Sequence, residues 1–170
     1  AQKDYLIEKQ GNFGNIFTGD EASAARYIEC RLTDLARDVL FNKSITEYID
    51  TYDSRNKEPV VFPAKVPLLL ILGTEGIAVG MSTKILPHNF VEVLEAQIAH
   101  LKGKTFKLYP DFPTGGQIDV SEYNDGNGKI LVRAVLDDKD PKRIVIRELP
   151  FGYTSETLIT SIEDASKKGK

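Results

Sequence analysis

The chain has 170 residues, of which 41% are apolar and 28% charged, with a net charge of −3. That profile excludes a disordered polar chain and allows one substantial domain or two small ones. One cysteine and two histidines exclude an internal disulfide and are too few for a structural zinc site, and no apolar run nears the roughly 20 residues of a transmembrane helix.

The lone Cys30 points to a reducing compartment. The net charge neither supports nor excludes DNA, because phosphate contacts come from local clusters of Lys and Arg. Ala1 is not a methionine and the chain stops inside a predicted helix, so a piece of a longer protein is expected.

In chain order, "KQGNFGNIFTGDEA" is rich in Gly and Asn and reads as a loop. Asp20 as N-cap, or Thr18 with Glu21 as a capping box, predicts a helix from Glu21 to about Phe41. Ile28, Leu32, Leu35, Ala36, Val39 and Leu40 recur in it at helical spacing. A shorter helix is expected over Ser44 to Tyr52. Pro59, Pro63 and Pro67 then forbid regular helix, and Gly73, Gly76 and Gly80 bracket "TEGIAVGMS" as a tight loop or strand.

Asn89 caps a helix over "FVEVLEAQIAHLKG", with Val91, Leu94, Ile98 and Leu101 as its apolar stripe and Gly103 as its stop. "YPDFPTGG" is a turn-rich linker. "KILVRAVL" and "RIVIREL" read as two strands joined through the polar "DDKDPK". A last helix opens near Thr154 and Ser155, with Leu158, Ile159 and Ile162 inward and lysines at its C-terminal end. The order implies an α+β chain in two parts, divided near Asp53 to Lys57.

Two stretches invite chemistry. In "SAARYIECRL" the helical reading puts Tyr27 and Arg31 one turn apart on one face, with Arg26 at its edge. Tyr27 is then either a rim tyrosine among solvated arginines or a nucleophile. A phenol of pKa near 10 needs a base or nearby positive charge to attack, and arginine supplies that charge and a fork for phosphate oxygens. Attack on a phosphodiester would store the bond energy in an aryl phosphate ester, and Arg31 would contact the DNA. "GIAVGM" is either tight packing or an apolar wedge with Ile77 at its tip, of the kind that DNA-bending proteins insert between base steps. His88 reads as a turn residue and Cys30 as a small buried helix residue.

These motifs together, "QGNFG", "SAARYIECRL", "EPVVFPAKVPLLL", "GTEGIAVGMSTKILPHNF" and "YPDFPTGG", resemble the breakage–reunion (A) subunits of bacterial type IIA DNA topoisomerases, DNA gyrase and topoisomerase IV. The resemblance runs from about Lys9 to the C-terminus and is densest between Gln10 and Gly116. It implies that residues 1–55 are the end of a winged-helix domain at the DNA gate and 56–170 a tower domain truncated at its C-terminus. It implies that Tyr27 forms a 5′-phosphotyrosyl link in each DNA strand, that Arg26 stabilises the charge on that phosphate, and that Ile77 is the intercalating isoleucine. The implied cofactors, Mg²⁺ and ATP, are both held by a partner B subunit, so no metal site is expected here.

The implied partners are double-stranded DNA and the topoisomerase B subunit, in an A2B2 complex built on a homodimer of A subunits. No membrane is involved, and the setting is the bacterial cytoplasm at the nucleoid. The piece alone is expected to be inactive. "RNKEPV" and "STKILPHNF" look closer to topoisomerase IV than to gyrase, and Thr74 and Glu75 stand where the family often has small residues. The alternative is a non-catalytic DNA-binding or structural module that keeps the tower fold.

Overall fold

The computed structural model describes residues 5–169; Lys170, in the terminal "KKGK", and residues 1–4 lie outside the described residues. The architecture is α+β, built among the described residues from five two-stranded antiparallel ladders and four α-helices. Strand β1 (Ile7–Gln10) pairs with β2 (Glu29–Leu32) from Ile7↔Leu32 to Gln10↔Glu29. Helix α1 spans only Asp34–Leu40.

The helix expected from Glu21 to Phe41 is therefore not formed over its first half. Ala25–Tyr27 is a single 3-10 turn, Ile28 is extended and Glu29–Leu32 is strand. The true N-cap is Thr33, whose hydroxyl accepts the Ala36 N–H at 3.0 Å. Thr18 and Asp20 bond each other instead (Oγ1 to Oδ2, 2.6 Å). Residues with fair helix propensity give way because β1 supplies a full ladder of backbone partners from a distant part of the chain.

The helix expected over Ser44–Tyr52 is also replaced. Its β-branched and aromatic residues form β3 (Tyr48–Asp50), paired with β4 (Lys57–Pro59) and closed by an Asp50–Lys57 ion pair of 2.6 Å. The boundary expected near Asp53 to Lys57 would fall in and just after the turn of this hairpin. After Pro67 comes the short α2 (Leu68–Leu72). Gly73 then turns the chain at φ +66, and a Cβ there would lie 2.7 Å from the Ile85 carbonyl oxygen, so only glycine fits. Strands β5 (Thr74–Ala78) and β6 (Met81–Ile85) form a hairpin.

Helix α3 (Phe90–Leu101) starts as expected, the Asn89 side chain accepting the Val91 N–H at 2.9 Å, and Gly103 follows it at φ +66. Its buried face is Val93 and Ala96, however, while Val91, Ile98 and Leu101 are exposed. Strand β7 (Gln117–Asp119) pairs with β8 (Leu131–Arg133), and β9 (Val135–Asp140) with β10 (Arg143–Glu148). The run read as one strand is thus split at Ala134 between two ladders, and most of the polar "DDKDPK" is strand. Helix α4 (Ser155–Lys167) opens on a reciprocal capping box between Thr154 and Thr157. Its Ile159 and Ile162, expected inward, are each 56% exposed.

The core is small: Ala36, Val39, Ile71, Val93, Ala96 and Phe112, with His88. Phe112 stacks on Phe151 at 4.5 Å. The accessible surface is 13315 Å², against about 8,300 Å² for a compact monomer of this mass. Large apolar faces, on α3 and α4 in particular, are left uncovered among the described residues. The departure of these stripes from expectation has that physical cause: side chains that look inward by period have nothing in these residues to pack against.

Candidate functional site

The turn that carries Tyr27 is set by the loop that precedes it. Gly11, leaving β1 at φ +96, brings its backbone so close that a Cβ would lie 2.9 Å from the Tyr27 carbonyl oxygen and 3.1 Å from Ile28 Cγ2. Asn12 accepts the Gly14 N–H on its side chain (2.8 Å) and the Ser23 N–H on its carbonyl (3.0 Å). Asn15 donates its N–H to Asp20 O (3.0 Å) and accepts from Gly19 (2.9 Å). The Tyr27 N–H closes the 3-10 turn on Ala24 O at 2.9 Å. Short Asn and Gly residues do this because they bond their own backbone and tolerate left-handed conformations.

On that support Tyr27 stands 66% exposed. The Arg26 guanidinium lies over its ring, 4.7 Å from the centroid, a cation–π contact that places a permanent positive charge beside the phenol. The two residues that the sequence pairs are therefore together on one exposed turn.

Arg31 is not on a shared helical face with them, because no helix exists there. It lies on β2 opposite Glu8, and its Nε and Nη2 donate to the two Glu8 carboxylate oxygens at 2.7 and 2.8 Å. This fork-on-fork pair holds the Glu8 carboxyl below its ordinary range, through the Arg31 hydrogen bond first and its charge second, and raises Arg31 in turn. Cys30, expected buried on a helix, is exposed on the same strand.

Ile77 stands on the β5–β6 hairpin, 89% exposed, beside a two-residue turn whose Val79 is fully exposed. Met81 is exposed as well. Register places Glu75, Ile77, Ser82 and Lys84 on one face, since Glu75↔Lys84 and Ile77↔Ser82 are opposite pairs. Glu75 and Lys84 are joined by an ion pair of 3.5 Å, so the glutamate next to the apolar tip carries its own counter-charge. Three apolar side chains, Ile77, Val79 and Met81, thus stand exposed on one narrow hairpin.

His88 is buried, its Nδ1 3.0 Å from Leu70 O, and serves packing. Beneath the hairpin a cavity of about 680 Å³ is lined by Ile71, Ile85, Phe90, Phe112 and Phe151 among others. Among the described residues no group of three or more His, Cys, Asp or Glu side chains is placed to hold a metal ion, and no helix is long and apolar enough to cross a membrane. Glu8, as the partner of Arg31, and Gly11, packed on the Tyr27 turn, are contacts that sequence reasoning misses. The one signal, for Gly11, is the first glycine of "QGNFG", a residue type that permits close backbone approach.

The Tyr27–Arg26 turn and the apolar β5–β6 hairpin both stand exposed on the α+β scaffold. The chain belongs to the DNA gyrase/topoisomerase IV A-subunit family, whose model matches residues 1–170. It is 65% identical over 168 residues to the A subunit of DNA topoisomerase 4 from Borreliella burgdorferi, covering 99% of this chain and 27% of that protein. It is 44% identical over 180 residues to the DNA gyrase A subunit of Thermotoga maritima, covering 95% of this chain and 22% of that protein. The DNA gyrase A subunit of Brachyspira hyodysenteriae matches at 38% over 184 residues, or 97% of this chain and 22% of the relative. The chain thus spans about a quarter of the length of these relatives.

Proposed function

We propose that this chain carries the DNA cleavage–religation centre of an ATP-dependent type IIA topoisomerase, of the topoisomerase IV kind. The observation that carries the reading is the exposed Tyr27 on a backbone-anchored turn with the Arg26 guanidinium 4.7 Å from its ring, in a chain of this family. The higher identity to the topoisomerase 4 relative than to the gyrase relatives supports the narrower assignment.

In the reaction, the Tyr27 oxygen forms a bond to a DNA phosphorus and the bond from phosphorus to the 3′ oxygen breaks. The phenol gives up its proton to a base, and the departing 3′ oxygen takes one up. One phosphate diester replaces another, so the break stores its own resealing energy. Arg26 swings from the ring to the phosphate and balances the charge that builds there. Ile77 enters the base stack and bends the duplex. The guanidinium edge that Glu8 leaves open on Arg31 contacts a phosphate.

Residues 1–55 act as the end of a winged-helix domain at the DNA gate and 56–170 as a tower domain. Mg²⁺ and ATP belong to the partner B subunit in an A2B2 assembly, in the bacterial cytoplasm at the nucleoid. The test uses the full-length protein together with its B subunit, on end-labelled duplex DNA. Tyr27→Phe should abolish the covalent protein–DNA adduct with the melting temperature unchanged. An adduct that survives in that variant removes Tyr27 as nucleophile and leaves a non-catalytic DNA-binding module.

A further inference from the structure

The loop that supports Tyr27 is held from its far side by the first turn of α4, 138 residues along the chain. An α-helix opens with N–H groups that have no partner within the helix. In α4 the Thr157 N–H goes to the Thr154 hydroxyl at 3.2 Å, but the first two go elsewhere. The Ser155 N–H donates to Phe17 O at 2.9 Å and the Glu156 N–H to Thr18 O at 3.3 Å. The Ser155 hydroxyl adds a second bond to Phe17 O at 3.2 Å.

Gly19 completes the fit: a Cβ there would lie 2.9 Å from Thr154 Oγ1 and 3.1 Å from Glu156 Oε2. From Phe17–Gly19 the loop is tied back through Asn15–Asp20 and Asn12–Ser23 to the Ala24–Tyr27 turn, by backbone bonds of 2.9 to 3.0 Å. The carbonyls of this loop thus satisfy helix donors that would otherwise be open, and the helix in turn fixes the loop.

We propose that the first turn of α4, through Ser155, Glu156 and the close seat at Gly19, is a positioning element for Tyr27, so that the place of α4 sets how well the tyrosine is aligned for attack. The inference rests on Tyr27 being the nucleophile. A loop released on one side lets the phenol wander, and misplacement by about 1 Å can cost on the order of a hundredfold in rate. DNA affinity, which comes from many phosphate contacts, changes little when one loop loosens.

Ser155→Pro isolates the contact. Proline suits the first position of a helix, and Thr154, at φ −113 and ψ 163, already has the backbone that precedes proline. The change deletes both bonds to Phe17 O and leaves the Thr154–Thr157 cap in place, whereas Ser155→Ala keeps the N–H bond. Gly19→Ala pries at the same seat from the loop side. In the full-length protein with its B subunit, Ser155→Pro should slow adduct formation about tenfold or more, with the dissociation constant for duplex DNA unchanged. Ser155→Ala should stay near the wild-type rate, and Ser155→Pro/Gly19→Ala should be no slower than the slower single variant. Wild-type cleavage by Ser155→Pro and Gly19→Ala overturns the proposal, as does a loss of DNA affinity equal to the loss of rate, or losses that multiply in the double variant. An adduct surviving Tyr27→Phe would instead overturn the nucleophile assignment, so the two failures are distinct.

Discussion

The tyrosine turn and the β5–β6 hairpin are both exposed, both have glycines in or just before them, and are built on opposite terms. Around Tyr27 the glycines are crowded: at Gly11, Gly14 and Gly19 an added Cβ would meet another atom at 2.9 to 3.0 Å. On the hairpin, Gly76 and Gly80 would meet nothing within 4 Å. The first region gains its shape from backbone clasped against backbone. The second is a free-standing ladder with an exposed apolar tip. Chemistry that must align an oxygen with a phosphorus atom needs the first kind of support. A wedge that must reach into a base stack needs the second kind of clearance.

The comparison can be broken most sharply at the glycines. Gly11→Ala should lower adduct formation about a hundredfold and destabilise the chain by about 1–3 kcal/mol, because the new methyl strikes the Tyr27 carbonyl at a positive φ. The matching Gly76→Ala should leave stability within about 0.5 kcal/mol of wild type. Thermal melts and single-turnover cleavage read both, and equal effects at the two glycines would erase the distinction. Next in size, Ile77→Ala should reduce DNA bending and cleavage together by about tenfold, with an unchanged melting temperature since the side chain is almost wholly exposed. Bending that persists in that variant would take Ile77 out of the path of the DNA.

The smallest effect concerns the β1–β2 ladder under the tyrosine. The Glu8 carboxyl is depressed below its ordinary 4.5 by Arg31. A depressed carboxyl contributes stability that is fully present above the unfolded value and fades as the pH falls through the folded one. The melting temperature of Glu8→Gln should therefore fall slightly below wild type at pH 7 and converge with it once the pH has dropped below the depressed folded-state value. A constant offset across that range would mean that the pair contributes nothing through charge, as exposed pairs sometimes do not.

What is legible in the residues follows a physical line. Asn89 before α3 and Thr154 before α4 are readable because a cap is a bond between neighbours. The helix expected through Tyr27 does not form because its competitor, β1, lies about twenty residues back and its pairing leaves no local mark. Ile159, Ile162 and the α3 stripe face inward by period alone, and period cannot say whether a partner is present. The candidate residues divide likewise. Arg26 and Tyr27 are neighbours in the chain and stay together, whereas Arg31 is joined to them only by an assumed helix and belongs to Glu8.

By itself, the sequence determined the family, through the order and spacing of several independent motifs, together with the caps of the two long helices, and it singled out Tyr27, Arg26 and Ile77 as candidates. Tertiary structure alone decided that Tyr27 sits on a 3-10 turn, that Glu8 claims Arg31, and that α4 clasps the tyrosine loop. The division has one cause. Bonds between near neighbours cost little chain entropy and leave a signature in composition, while contacts such as Ser155 to Phe17 close a long loop and are chosen only when the whole backbone has found partners.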